Sequence, residues 1–214
     1  MKALEKMTAL SLSVFLLAGC AGSSGASIEQ METEEPKTEP SVQPISESKE
    51  QEASTEEKTM VIYFSATGTT RGVAEKIASI TGGDLYEILA AEPYTEDDLN
   101  WHDSSSRSTK EQNDASVRPE IGSDPVSLDK YDRIFIGYPI WWGEEPRIMD
   151  TFVESTAFPE ATVIPFCTSS SSGMGRSGKN LAALAGRGTW LDGQRFGANA
   201  SESDIQAWID GLKE

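Results

Sequence analysis

The 214-residue chain has little cysteine, little histidine and little positive charge. Two cysteines, Cys20 and Cys167, are too few for a disulfide framework. One histidine, His102, without clustered cysteines argues against a protein-built zinc site. Lys and Arg total 18 against 35 Asp and Glu, a formal net charge of −17. That balance argues against nucleic acid or an anionic lipid surface as a partner. No apolar run approaches the roughly 20 residues that a membrane-spanning helix needs. The Gly-Lys-Ser/Thr of a nucleoside triphosphate loop is absent, and so is the Gly-x-Gly-x-x-Gly of a dinucleotide site.

What is present falls into three stretches. Residues 1–19 read as a targeting signal, with Lys2 and Lys6 near the start and a mostly apolar run from Met7 to Leu17. The run closes as Leu17-Ala18-Gly19-Cys20, which resembles the bacterial lipobox. The resemblance implies cleavage before Cys20 and lipidation of that residue, with several acyl chains making a stable anchor. Residues 20–58 then carry Gly, Ser, Glu, Pro, Thr and Gln, with no aromatic residue. Such a segment cannot bury enough surface to offset its ordering entropy, so it reads as a disordered acidic tether. Residues 59–214 are enough for one packed domain; they hold 13 basic and 24 acidic side chains, a balance of −11.

Within that domain strands alternate with helices. Met60 to Phe64 is a continuous apolar run, as a strand buried on both faces requires. Val73, Ala74, Ile77, Ala78 and Ile80 recur at helical spacing and stop at Gly82-Gly83. Strands are expected at Leu85–Leu89, Arg133–Tyr138, Thr162–Cys167 despite Pro165, and around Trp190. Helices are expected after Pro146, around Lys179 to Ala185, and after a Ser201 cap. This alternation predicts a parallel sheet covered on both faces and wound in both directions. Ligands bind such sheets beyond the C-terminal strand ends.

Three unusual loops lie at those ends. Ser65-Ala66-Thr67-Gly68-Thr69-Thr70 has four hydroxyls, a glycine and no lysine ahead of a helix, which suits a monoester phosphate. Pro139-Ile140-Trp141-Trp142-Gly143 sets two indoles side by side, flat enough to stack on a planar ligand. Thr168-Ser169-Ser170-Ser171-Ser172-Gly173-Met174-Gly175 offers hydroxyls and backbone amides. Cys167 reads as packing rather than redox chemistry. The connection from Tyr94 to Ile121 is long, which often marks a functional segment. It is expected to fold over the ligand, with Trp101, His102 and Arg107 as possible substrate or partner contacts.

The strand, Ser/Thr-x-Thr-Gly-x-Thr loop and helix resemble the phosphate loop of flavodoxins, with Thr69 where those proteins usually have Asn. Glu92-Pro93-Tyr94, Glu111-Gln112-Asn113-Asp114, Arg118-Pro119, Gly137 to Gly143, Pro146-Arg147, Pro165 to Ser169 and Trp190 to Gly193 resemble one bacterial subfamily. The resemblance implies a doubly wound α/β three-layer sandwich with a five-stranded parallel sheet of order 2-1-3-4-5. It implies FMN as cofactor, held by Ser65 to Thr70, by Pro139 to Gly143, and by Thr168, Ser169, Ser170, Ser171 and Gly173. An electron carrier then follows, with a redox partner protein or small electron acceptor and with membrane contact through the lipid anchor only. No side-chain acid, base or nucleophile is required, so no catalytic residue is expected. Two other readings share the fold: an NAD(P)H- or quinol-linked FMN reductase, and a flavin-free binding module.

Overall fold

A strand feeding a crossover helix packs back onto its sheet in one preferred hand, and the sheet here is built outward on both sides of its first strand. The computed structural model describes residues 57–212; the signal, Cys20 and the tether up to residue 56 lie outside them. The elements run β1 (Thr59–Phe64), α1 (Thr69–Thr81), β2 (Asp84–Ile88), α2 (Arg107–Asn113), β3 (Arg133–Pro139), α3 (Arg147–Ser155) and β4 (Thr162–Thr168). They continue with α4 (Ser177–Ala185), β5 (Thr189–Trp190), β6 (Gln194–Phe196) and α5 (Glu202–Gly211). All pairings between these strands are parallel, and the order is β2-β1-β3-β4-β5.

The strand expected at Trp190 is split in two. β5 pairs with Thr162 and Val163 of β4, and β6 pairs with Phe166 to Thr168 on the same edge. Leu191 N–H donates to Val163 O, but the N–H that would answer from β4 belongs to Pro165 and does not exist. The ladder breaks there and resumes at Gln194.

Alternation along the strands fills two cores. Met60, Ile62 and Phe64 join Ile134, Ile136, Ile148, Met149 and Leu181 on the α3–α4 side. Val61 and Tyr63 join Phe135, Val73, Ile77, Ile205 and Ile209 on the α1–α5 side. α1 ends at Gly82, in the left-handed region with its N–H on Ala78 O. α5 begins at Ser201, whose side chain accepts from Asp204 N–H at 3.1 Å. Among the described residues no helix is long and apolar enough to cross a membrane.

The excursion after β2 is an arm clasped at its base. Ala91 N–H donates to Glu120 O at 2.9 Å and Gly122 N–H to Leu89 O at 2.7 Å. Inside the arm lies α2, a helix the sequence did not advertise.

Candidate functional site

The strand order reverses between β1 and β3, and the loops after these two strands flank the switch point. The first loop enters α1 through Gly68, at φ 86 and without a side-chain cap among the described residues. The first intrahelical bond is Gly72 N–H to Gly68 O, so the N–H groups of Thr69, Thr70 and Arg71 have no partner within the helix. Ser65 Oγ is buried with no hydrogen-bond partner among the described residues. Thr67 and Thr69 hydroxyls lie 3.4 Å apart at the surface. A buried hydroxyl left unpaired beside an uncapped helix start is costly unless an acceptor or donor arrives, and a phosphate oxygen supplies it. Arg71, the nearest cation of the first turn, is directed to Glu87 at 2.6 Å.

The two adjacent indoles have different fates. Trp141 packs edge-on against Phe64 and Tyr94, with ring centroids 5.7 and 5.2 Å away. Trp142 is 46% exposed and sits at φ 49, followed by Gly143 at φ 87. Paired bonds close this two-residue turn, Trp141 N–H to Glu144 O and Glu144 N–H to Trp141 O, at 2.9 and 3.0 Å. A turn of this kind needs positive φ at both central residues. Glycine takes that conformation freely, whereas a tryptophan pays about 1–2 kcal/mol for it. Strain at a ligand-facing position is a pointer to function.

Between these loops lies a cavity of about 340 Å³. Ala66, Thr67 and Thr70 line it from the first loop, and Pro139 to Trp142 from the second. The arm completes it with Leu99, Trp101 and Ser108. Trp101, 67% exposed, is thus brought to the site. His102 and Arg107 do not line this cavity. The His102 ring lies against Trp101 with centroids 3.4 Å apart and the planes tilted by 35°. Arg107 is used inside the arm: its Nε donates to Glu111 at 2.7 Å, one Nη to Glu92 O, and its plane lies 4.0 Å over the Tyr94 ring. Burial, then the hydrogen bond to Glu111, pushes the Tyr94 hydroxyl well above its usual range.

The third loop adjoins the site without lining the cavity. Thr168 Oγ1 and Thr70 Oγ1 form a buried 2.7 Å hydrogen bond that joins it to the first loop. Ser169 Oγ accepts from Ser171 and Ser172 N–H, at 3.3 and 2.9 Å, so that hydroxyl is occupied internally. Ser170, Ser171 and Gly173 are exposed. Cys167 is fully buried, and burial pushes its thiol up to about 12.

The chain matches the flavodoxin family model over residues 58–212. It belongs to the flavodoxin family. Among solved structures it is similar to a candidate flavoprotein from Bacteroides uniformis, at 45% identity over 72% of this chain and 98% of that one, with a TM-score of 0.68. A second candidate flavoprotein, from Bacteroides eggerthii, shares 44% identity over 73% and 98%, also at 0.68. A Lactobacillus acidophilus flavoprotein in complex with FMN has the same fold at 23% identity, covering 74% and 99%, with a TM-score of 0.59. None of the curated proteins compared with the chain matches it.

In this flavodoxin three supporting side chains escape a sequence reading. Gln112 Nε2 donates to Trp141 O at 3.0 Å and to Glu145 O at 3.2 Å, tying the arm to the second loop. Arg195 donates to Ser169 O and Ser170 O, both at 2.9 Å, and fixes the third loop. Glu145, 1% exposed, follows the tryptophan turn; burial pushes its carboxyl up to about 7. Gln112 lay inside a matched motif, but nothing in that motif assigned it a role. Arg195 and Glu145 carry no sequence signal apart from their charge.

Proposed function

We propose that the chain is an FMN-binding electron carrier, tethered outside the cytoplasm by a lipid on Cys20. The observation that carries the cofactor reading is the unpaired, buried Ser65 hydroxyl at an uncapped helix start, opening beside a cavity walled by indoles. The hydroxyls of Ser65, Thr67 and Thr69 and the first-turn amides of α1 would hold the phosphate. Pro139 to Trp142 would border the ring, with the Thr168–Gly173 loop at its rim. When bound, FMN supplies the redox chemistry; the chain binds it, orients it and sets its surroundings.

Two observations support a carrier over an enzyme. Arg107, one of the arm's cations, is paired within the arm rather than offered to the cavity, and burial pushes the Cys167 thiol up to about 12. Leu17-Ala18-Gly19-Cys20 and the acidic stretch after it support the anchor and tether. The absorption spectrum of the purified chain followed by FMN titration tests the first part. A colourless protein that leaves added FMN unchanged would sink it. Turnover of NAD(P)H with a quinone would select the reductase reading instead. For the anchor, Cys20→Ser is expected to move the chain from the membrane to the soluble fraction.

A further inference from the structure

Trp101 has no evident structural work to do, yet it is held firmly. Asp103 N–H donates to Asn100 O at 3.0 Å and His102 N–H to Asn100 Oδ1 at 3.1 Å, so residues 100–103 form a closed turn. Behind that turn, Asp98 O accepts from both Ser108 N–H and Ser108 Oγ, at 3.0 and 2.6 Å, which fastens it to α2. α2 in turn reaches the tryptophan turn through Gln112. A chain of hydrogen bonds therefore sets Trp101 relative to Trp142, and both line one cavity. The His102 ring lies against Trp101 at a 35° tilt and does not line that cavity.

An indole two-thirds exposed on an ordered turn leaves a large apolar face in water, and such faces mark binding positions. Size narrows the ligand. At about 340 Å³ the cavity is at the small end of the roughly 300–1,000 Å³ range of ligand pockets. A volume of that size suits a single planar ring system. We infer that Trp101 stacks on the outer face of the flavin ring itself, making the arm a wall of the cofactor site rather than a docking place for a separate substrate. This rests on the FMN reading above. A ring so covered presents its edge, not its face, to solvent.

The test uses the full chain and two probes, FMN and riboflavin, because riboflavin has the ring without the phosphate. Trp101→Ala is expected to weaken both ligands by about tenfold, the usual scale of one aromatic stacking contact. Emission from the bound flavin is expected to rise as the quenching indole is removed. Trp101→Phe should restore most of the affinity for both probes. Since Trp101 is 67% exposed, its removal leaves no core cavity, and circular dichroism should be unchanged. If wild type binds FMN and Trp101→Ala binds both probes as tightly as wild type, the inference is overturned while the FMN reading stands. If wild type takes up neither probe, the FMN reading fails and the inference falls with it.

Discussion

Two residues show how the site was assembled from local constraints. Gly68 sits at φ 86 with open space where a Cβ would go, so Gly68→Ala would meet a backbone penalty and no clash. That penalty is about 1 kcal/mol, and relaxing it rotates the amides that follow. FMN affinity should therefore fall more than riboflavin affinity, since the phosphate alone uses those amides; parallel titrations of the variant check this. Glu145 makes a different prediction. Around its carboxyl stand Asn180 Nδ2 at 3.4 Å, the Tyr138 ring, and the like charges of Asp150 and Glu144, while Arg147 is spent on the latter two. Its pKa is raised from 4.5 to about 7. The folded chain thus holds a proton that the unfolded chain releases, and stability falls as pH rises from about 4.5 to about 7. At about 1.4 kcal/mol per unit the loss is up to about 3 kcal/mol, complete above pH 7. Glu145→Gln should abolish that slope. Urea unfolding at pH 5 and pH 8 is expected to show the variant gaining on wild type at the higher pH.

At the scale of elements, legibility followed the apolar pattern. β1, β3 and β4 each bury a continuous apolar run, α1, α3 and α5 each bury a periodic set such as Val73, Ala74 and Ile77, and each was foreseen near its observed bounds. α2 was not, because Arg107–Asn113 has no apolar residue at all. It buries Ser108, Thr109, Glu111 and Gln112 and is held by hydrogen bonds, which leave no periodicity to read. The same limit applied to the paired tryptophans. Both indoles looked equal in sequence; both line the cavity, but Trp141 also packs on Phe64 and Tyr94, whereas Trp142, in the turn at 141–144, stays exposed. The phosphate loop was legible because hydroxyls, glycine and helix start are contiguous. The wall supplied by Leu99, Trp101 and Ser108 depends on where a distant arm folds. Gln112 is the joint between that arm and the second loop, so Gln112→Ala should remove a donor from Glu145 O and leave Trp141 O with Glu144 N–H alone. A stability loss of about 1–3 kcal/mol is expected in urea unfolding. Faster hydrogen exchange should appear in both the arm and residues 141–145, and confinement of the change to α2 would refute the joint.

For the whole molecule, charge decides which partners are met quickly. The −17 formal charge over 214 residues gives a field that attracts cations and repels anions before any contact forms. No group of three or more His, Cys, Asp or Glu placed to hold a metal ion occurs among the described residues. If the chain exchanges electrons through an FMN edge, the rate with a small outer-sphere reagent should depend on that reagent's charge more than on its shape. With the FMN-loaded chain reduced, oxidation by a cationic hexaammine complex is expected to outpace oxidation by an anionic hexacyanide complex at low salt, after correction for driving force. Raising ionic strength from about 0.01 to 1 M shortens the Debye length from about 30 to about 3 Å, so the two rates should converge from opposite directions. Stopped-flow mixing across a salt series measures both. Rates insensitive to salt for both reagents would mean that the ring edge opens through a locally neutral patch. The acidic surface would then serve solubility and not partner choice.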